Sequence, residues 1–241
     1  MRKYLLLMLI AALLPIGFEN GLNIATIKKV FNAVLNEQKE AYELREIRWQ
    51  VGSFTDSKAL EALVSFYDDN QCHAAGWSEL WLLHFDNGWK LDRKLEDSDW
   101  ISFKAIDIDG DGKLEVWVES GGGNQGYFVS RGKLLFLSKL DTKVLYLNEG
   151  FDYTSAMKTG LASLSHKVTF QDIDNDGILE LLDWEEKGYY RWLGKEWASE
   201  YAKVSAQGKL IIAKLDPKTG KFHALDYLDN EAMMVDMTSP Q

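Results

Sequence analysis

Apolar side chains recur at three- and four-residue spacing near the start of the chain. Ile27, Val30, Phe31, Val34, Leu35, Ala41 and Tyr42 fall on one face, which predicts a helix over 26–46. Thr26, just before the run, is the predicted N-cap. From Ile47 the pattern changes to short runs rich in β-branched and aromatic residues. Examples are Ile47–Val51, Leu63–Tyr67, Leu80–Phe85, Val116–Val118, Val144–Leu147, Val168–Phe170 and Leu210–Ala213. Gly, Asn and Asp punctuate them, and none of the three prolines interrupts one. Many short strands with frequent turns predict a mainly β protein.

The runs repeat. Ile106-Asp-Ile-Asp-Gly-Asp-Gly-Lys-Leu-Glu115-Val-Trp has a partner in Gln171-Asp-Ile-Asp-Asn-Asp-Gly-Ile-Leu-Glu180-Leu-Leu. A weaker copy lies upstream, Ser53-Phe-Thr-Asp-Ser-Lys-Ala-Leu-Glu61-Ala-Leu. Each is followed by two apolar runs around a Gly, at Leu83–Trp89, Tyr127–Leu134 and Tyr190–Trp197. Asn87-Gly88 predicts a two-residue hairpin turn, and Arg131-Gly132 a weaker one. A last hairpin is expected around Asp216–Lys221, and a fraying tail over 229–241. Each unit reads strand, acidic loop, strand, strand, turn, strand, the size of one propeller blade. The expected architecture is a small or incomplete β-propeller-like array of four-stranded antiparallel blades with an N-terminal α-helix. It would span 47–228, with units near 53–106, 107–171 and 172–228.

The first residues carry a different signal. Met1-Arg2-Lys3 precede an apolar run from Tyr4 to Ile16, the layout of a secretory signal peptide. The predicted segment is 1–25, with Ala25 the best small residue for cleavage. The expected location is periplasmic or extracellular, with no stable membrane insertion after cleavage. Cys72 is the one cysteine, so an internal disulfide framework and a Cys-rich zinc site are excluded. A net charge of −10 argues against nucleic acid and anionic lipid as partners.

Much of that acidity sits in two loops. Asp107, Asp109 and Asp111 alternate, Gly112 permits a sharp turn, and Glu115 closes the set. Asp172, Asp174, Asp176, Gly177 and Glu180 repeat the pattern. Carboxylates at i, i+2 and i+4 converge when the backbone curls around one point. A backbone carbonyl from Lys113 or Ile178 can join them. Six or seven oxygens suit Ca²⁺, and two loops predict two ions. Zinc would want His or Cys. The upstream copy has Ser53, Thr55 and Ser57 at the aspartate positions and Lys58 at the glycine, so no calcium is expected there.

These loops depart from an EF-hand. The glutamate comes at position 9 and a strand follows at once, whereas an EF-hand has it at position 12 before a helix. In this the chain resembles the FG-GAP and VCBS repeat family, the calcium-binding blades of integrin-type propellers, over roughly residues 53–200. The resemblance rests on Asp107, Asp109, Asp111, Gly112 and Glu115 and on their downstream counterparts. It implies a non-catalytic, calcium-binding β-blade module that binds a protein or glycan.

Other chemistry is less well matched. Ala105–Gly110 resembles the nucleophile strand of haloacid-dehalogenase-type phosphatases, with Asp107 as nucleophile and Asp109 as acid/base. That family wants Thr or Val at Asp111, and alternating helices. Gly121–Gly126 lacks the Gly-Lys-Ser/Thr of a phosphate loop and is expected as a flexible loop between strands. His73, His84, His166 and His223 have no metal-binding spacing. An exposed subset of the tryptophans would suit a sugar or a protein. Some periplasmic inhibitors of lysozyme-like enzymes share the signal peptide, compact β fold and acidic calcium loop. That makes inhibition of a basic peptidoglycan hydrolase the alternative expectation.

Overall fold

A computed structural model describes residues 21–35, 44–68, 77–124, 127–153, 159–192, 201–216 and 219–234. Residues 1–20 of the expected signal segment 1–25, Ala41 and Tyr42 of the expected helix, and Cys72, His73 and Trp197 lie outside them. Among the described residues one helix, α1 (Ile24–Leu35), precedes twelve strands. They are β1 (Leu44–Gly52), β2 (Glu61–Asp68), β3 (Trp77–Phe85), β4 (Trp89–Ser98), β5 (Trp100–Ile106) and β6 (Glu115–Asn124). Then come β7 (Tyr127–Leu137), β8 (Thr142–Asp152), β9 (Thr159–Gln171), β10 (Glu180–Trp192), β11 (Tyr201–Asp216) and β12 (Lys221–Met234). Every strand run expected from the sequence lies inside one of these.

The strands form two open antiparallel sheets, β1 to β4 and β5 to β12, each in chain order. The second is nearly divided. β8 and β9 pair only at Phe151↔Leu164 and Asp152↔Ser163. The chain is therefore three consecutive four-stranded meanders: β1–β4, β5–β8 and β9–β12. The hairpin at Asp216↔Lys221 completes the third meander rather than following it.

The meanders stack face to face around three apolar layers. The first holds Leu22, Ile27, Val30 and Phe31 of the helical segment against Ala62, Val64, Phe66 and Trp81. Helical spacing brings those α1 residues to one stripe. The second packs Leu63, Leu80 and Leu82 against Val116, Val118, Leu135 and Leu137. The third packs Trp117 and Leu134, on the other face of β6 and β7, against Leu181, Ala213 and Leu215. β2 and β3 are covered on both faces, which explains their unbroken apolar runs. The helix covers a sheet face.

Several local expectations are corrected. Thr26 is not the N-cap; Asn23 is, its Oδ1 accepting the Thr26 N–H (2.9 Å). Leu44–Glu46 belong to β1 rather than the helix. Ala25 sits in the first turn of α1, just after buried Leu22. Three residues separate paired Phe85 and Trp89. Asn87-Gly88 thus ends a three-residue loop closed by Asp86 N–H to Gly88 O (3.0 Å). Arg131-Gly132 is no turn but mid-β7. β10 continues through Tyr190 to Trp192, and β12 runs to Met234, into the expected tail. Gly121–Gly123 are strand residues of β6, paired to Ser130, Val129 and Phe128. They lack side chains because Trp100, Asp99 and Phe128 fill that space.

Candidate metal centre

Each meander turns from its first strand to its second through an eight-residue loop. The glutamate that opens the second strand anchors it from beneath. Glu61, Glu115 and Glu180 are 4%, 3% and 0% exposed. Each accepts a backbone N–H from seven residues upstream: Phe54 (2.7 Å), Ile108 (3.2 Å) and Ile173 (2.8 Å). A buried carboxylate needs such partners. The loops also touch in sequence along the stack. Leu114 N–H donates to Ser53 O (2.7 Å) and Leu179 N–H to Ile108 O (2.8 Å).

Above the glutamates the loops differ. In the upstream loop the Thr55 hydroxyl donates to Glu61 Oε1 (2.5 Å) and the Ser53 hydroxyl to Ala59 O (2.8 Å). Hydroxyls thus close this loop. In the central loop Asp107, Asp109 and Asp111 each bring one carboxylate oxygen within 4.8 Å of the others. Asp107 accepts from Gly110 N–H (2.8 Å) and Gly112 N–H (3.1 Å). Both glycines have positive φ, 74° and 82°, which a side chain would resist. Asp172, Asp174 and Asp176 converge in the same way. There Asp172 accepts from Asp176 N–H (3.2 Å) and Gly177 N–H (3.0 Å).

Oxygens spaced this way fit around one cation. Calcium–oxygen distances of about 2.3–2.6 Å allow ligands up to about 5 Å apart. The triads therefore match the aspartate part of the donor set expected from sequence. Glu115 and Glu180 are not part of either converging set; they lie beneath, bonded to the loop backbone. Burial pushes Glu115 up to about 7, with the Asp109 charge adding to the rise. Burial likewise lowers Lys113, against the pull of Glu115 and Asp111. The Lys113 ammonium lies 3.0 Å from the centre of the Phe136 ring.

The downstream loop holds a side chain that the spacing did not reveal. Lys214, from β11, places Nζ 2.6 Å from Asp174, 2.7 Å from Asp176 and 2.8 Å from Glu180. These contacts raise the Lys214 pKa above the ordinary lysine value and lower that of Asp176.

A second polar cluster joins the last two meanders. Asp183 is fully buried. It accepts from Tyr146 OH (2.7 Å) and Asn148 Nδ2 (2.8 Å), and meets His166 Nδ1 at 3.0 Å. Burial opposes charge on both groups. The His166–Asp183 contact nevertheless raises His166, and Asp183 is lowered by His166, Asn148 and Tyr146. One sequence signal could have found it. Asp183 stands three residues after Glu180, where Val64 and Val118 follow Glu61 and Glu115.

Among the described residues, a cavity of about 480 Å³ opens between the first two meanders. Arg48, Tyr67, Asp99, Trp100, Gly122 and Phe128 help to line it. It lies at the Trp100 end of β5, whereas the central loop leaves from Ile106, about 20 Å away along the strand. No tryptophan with a described side chain is among the exposed large apolar residues. No helix among the described residues is long and apolar enough to cross a membrane. Compared with protein-family models, curated proteins and solved structures, the chain matches none.

Proposed function

We propose that this chain is a calcium-stabilised, non-catalytic binding module built of three propeller-like blades, similar to FG-GAP and VCBS repeats. The observation that carries the reading is the convergence of the two aspartate triads, in the same register, on loops that join first and second strands. Calcium bound in a loop offsets the charge of its carboxylates. The chain supplies the rest. The glycines turn the loop, the buried glutamates fix its base, and the stacked loops pass that order from one blade to the next. Asp107 spends both oxygens on loop N–H groups, an arrangement suited to ligation more than to nucleophilic attack. The cavity beside Trp100, remote from the loops, is the face offered to a protein or glycan. Extracellular calcium modules bind at about 10⁻⁴–10⁻³ M, which agrees with the secretory pattern at the N-terminus. Calorimetric titration of the full chain with CaCl₂ tests this. Heat of binding lost in Asp109→Asn is expected; an identical titration for the variant and the wild type would refute it.

A further inference from the structure

The three loops share one position that decides what stands over the buried glutamate. On the strand opposite Glu61 it is His84, paired directly with it. In the central meander Val116 pairs with Leu135, so the next residue, Phe136, takes that place. In the third, Leu181 pairs with Ala213, and the next residue is Lys214. An aromatic ring and an ammonium thus occupy equivalent positions beside the two aspartate triads.

The consequences differ. Over the central loop, Phe136 offers no charge to the carboxylates. Lys113 is turned onto the Phe136 ring, and among the described residues its ammonium forms no ion pair with Asp107, Asp109 or Asp111. Among the described residues, the central triad is therefore left without a paired cation of its own. In the downstream loop the Lys214 ammonium reaches two aspartates and the buried glutamate at once. Its side chain is only 17% exposed. Three carboxylate contacts within 2.8 Å are the arrangement expected of a bound cation, here tethered to β11.

We infer that Lys214 is a built-in counter-ion that occupies the cation position of the downstream loop, so that calcium enters the central loop first and the downstream loop only by displacing Lys214. The inference rests on the calcium reading of the loops. Its physical basis is competition: a site whose receptive form is a minor population binds with an affinity reduced by that fraction. The two loops, alike in sequence, are then unlike in use. One requires metal, and the other is ordered without it.

The test is calorimetric titration of metal-free full-length protein with CaCl₂, for wild type, Lys214→Met and Lys214→Arg, with thermal melts of the same samples. Wild type is expected to show one tighter calcium, lost in Asp109→Asn, and a second at least about tenfold weaker. Lys214→Met is expected to bring the second to within a few-fold of the first, and to melt lower than wild type without metal. Lys214→Arg keeps the charge and is expected to behave as wild type. Two equally tight calciums in wild type would overturn the inference and leave the calcium reading standing. No calcium in any of the proteins would overturn both. A Lys214→Met protein with wild-type affinities and an unchanged metal-free melt would overturn the inference alone.

Discussion

A methyl group at Gly132 would lie 2.4 Å from Asn148 Oδ1 and 2.5 Å from the Trp117 ring. Both neighbours are fixed, Asn148 by Asp183 and Trp117 by the third apolar layer. Gly132→Ala is therefore expected to lower unfolding free energy by about 1–3 kcal/mol, read from urea denaturation. The Asp183 cluster gives a pH test. His166 is raised, so its stabilising contribution is complete below 6.5 and fades as pH rises through its folded value. Asp183 is lowered, so its contribution holds above 3.8 and fades as pH falls through its own folded value. The pair is strongest between those limits. The stability difference between wild type and His166→Gln is expected to be largest near pH 5.5 and to shrink towards pH 8.5. A difference that stays constant with pH would contradict this. The residues that decide these effects were only partly legible. The aspartates and glutamates announce themselves by local spacing. Lys214 and His166 reach their partners across strands, from 40 and 17 residues away, and no local pattern encodes that.

The elements themselves were largely written in the apolar pattern. The helix stripe from Ile27 to Val34, the strand runs and the repeated loop recur where the sequence puts them. Besides the helix cap and the helix end, what failed were readings of glycine. Gly132 and Gly121–Gly123 look like turns because glycine permits turns, but here glycine makes room for rings and carboxylates on neighbouring strands. Helix α1 docks through Phe31, whose ring lies 5.0 Å from Phe66 and 5.3 Å from Trp81. Phe31→Ala opens a cavity in that layer, and a loss of about 3–5 kcal/mol is expected by chemical denaturation. A loss below about 1 kcal/mol would mean that the helix is not part of the cooperative fold.

At the scale of the whole molecule, three meanders are held by apolar layers and by loop-to-loop hydrogen bonds at one end. The stacking order was implied by the repeat period, but the nearly severed β8–β9 pairing was not, because pairing extent depends on how each meander twists. The acidic excess has a place in this design. Glu115, raised to about 7, favours the metal-free fold at low pH and weakens it as pH rises from 4.5 through about 7. Without metal, stability should therefore fall between about pH 5 and pH 8, and saturating calcium should lessen that fall by offsetting the Asp109 charge, as thermal melts across the range would show. The most direct test of the central claim is the melting temperature at neutral pH of the metal-free protein, with and without about 10 mM CaCl₂. Binding at about 10⁻⁴–10⁻³ M adds roughly 1.5–3 kcal/mol to the folded state at that concentration, a rise of about 3–10 °C for a chain of this size. The account predicts that rise, and its loss in Asp109→Asn. A melting temperature indifferent to calcium would contradict it.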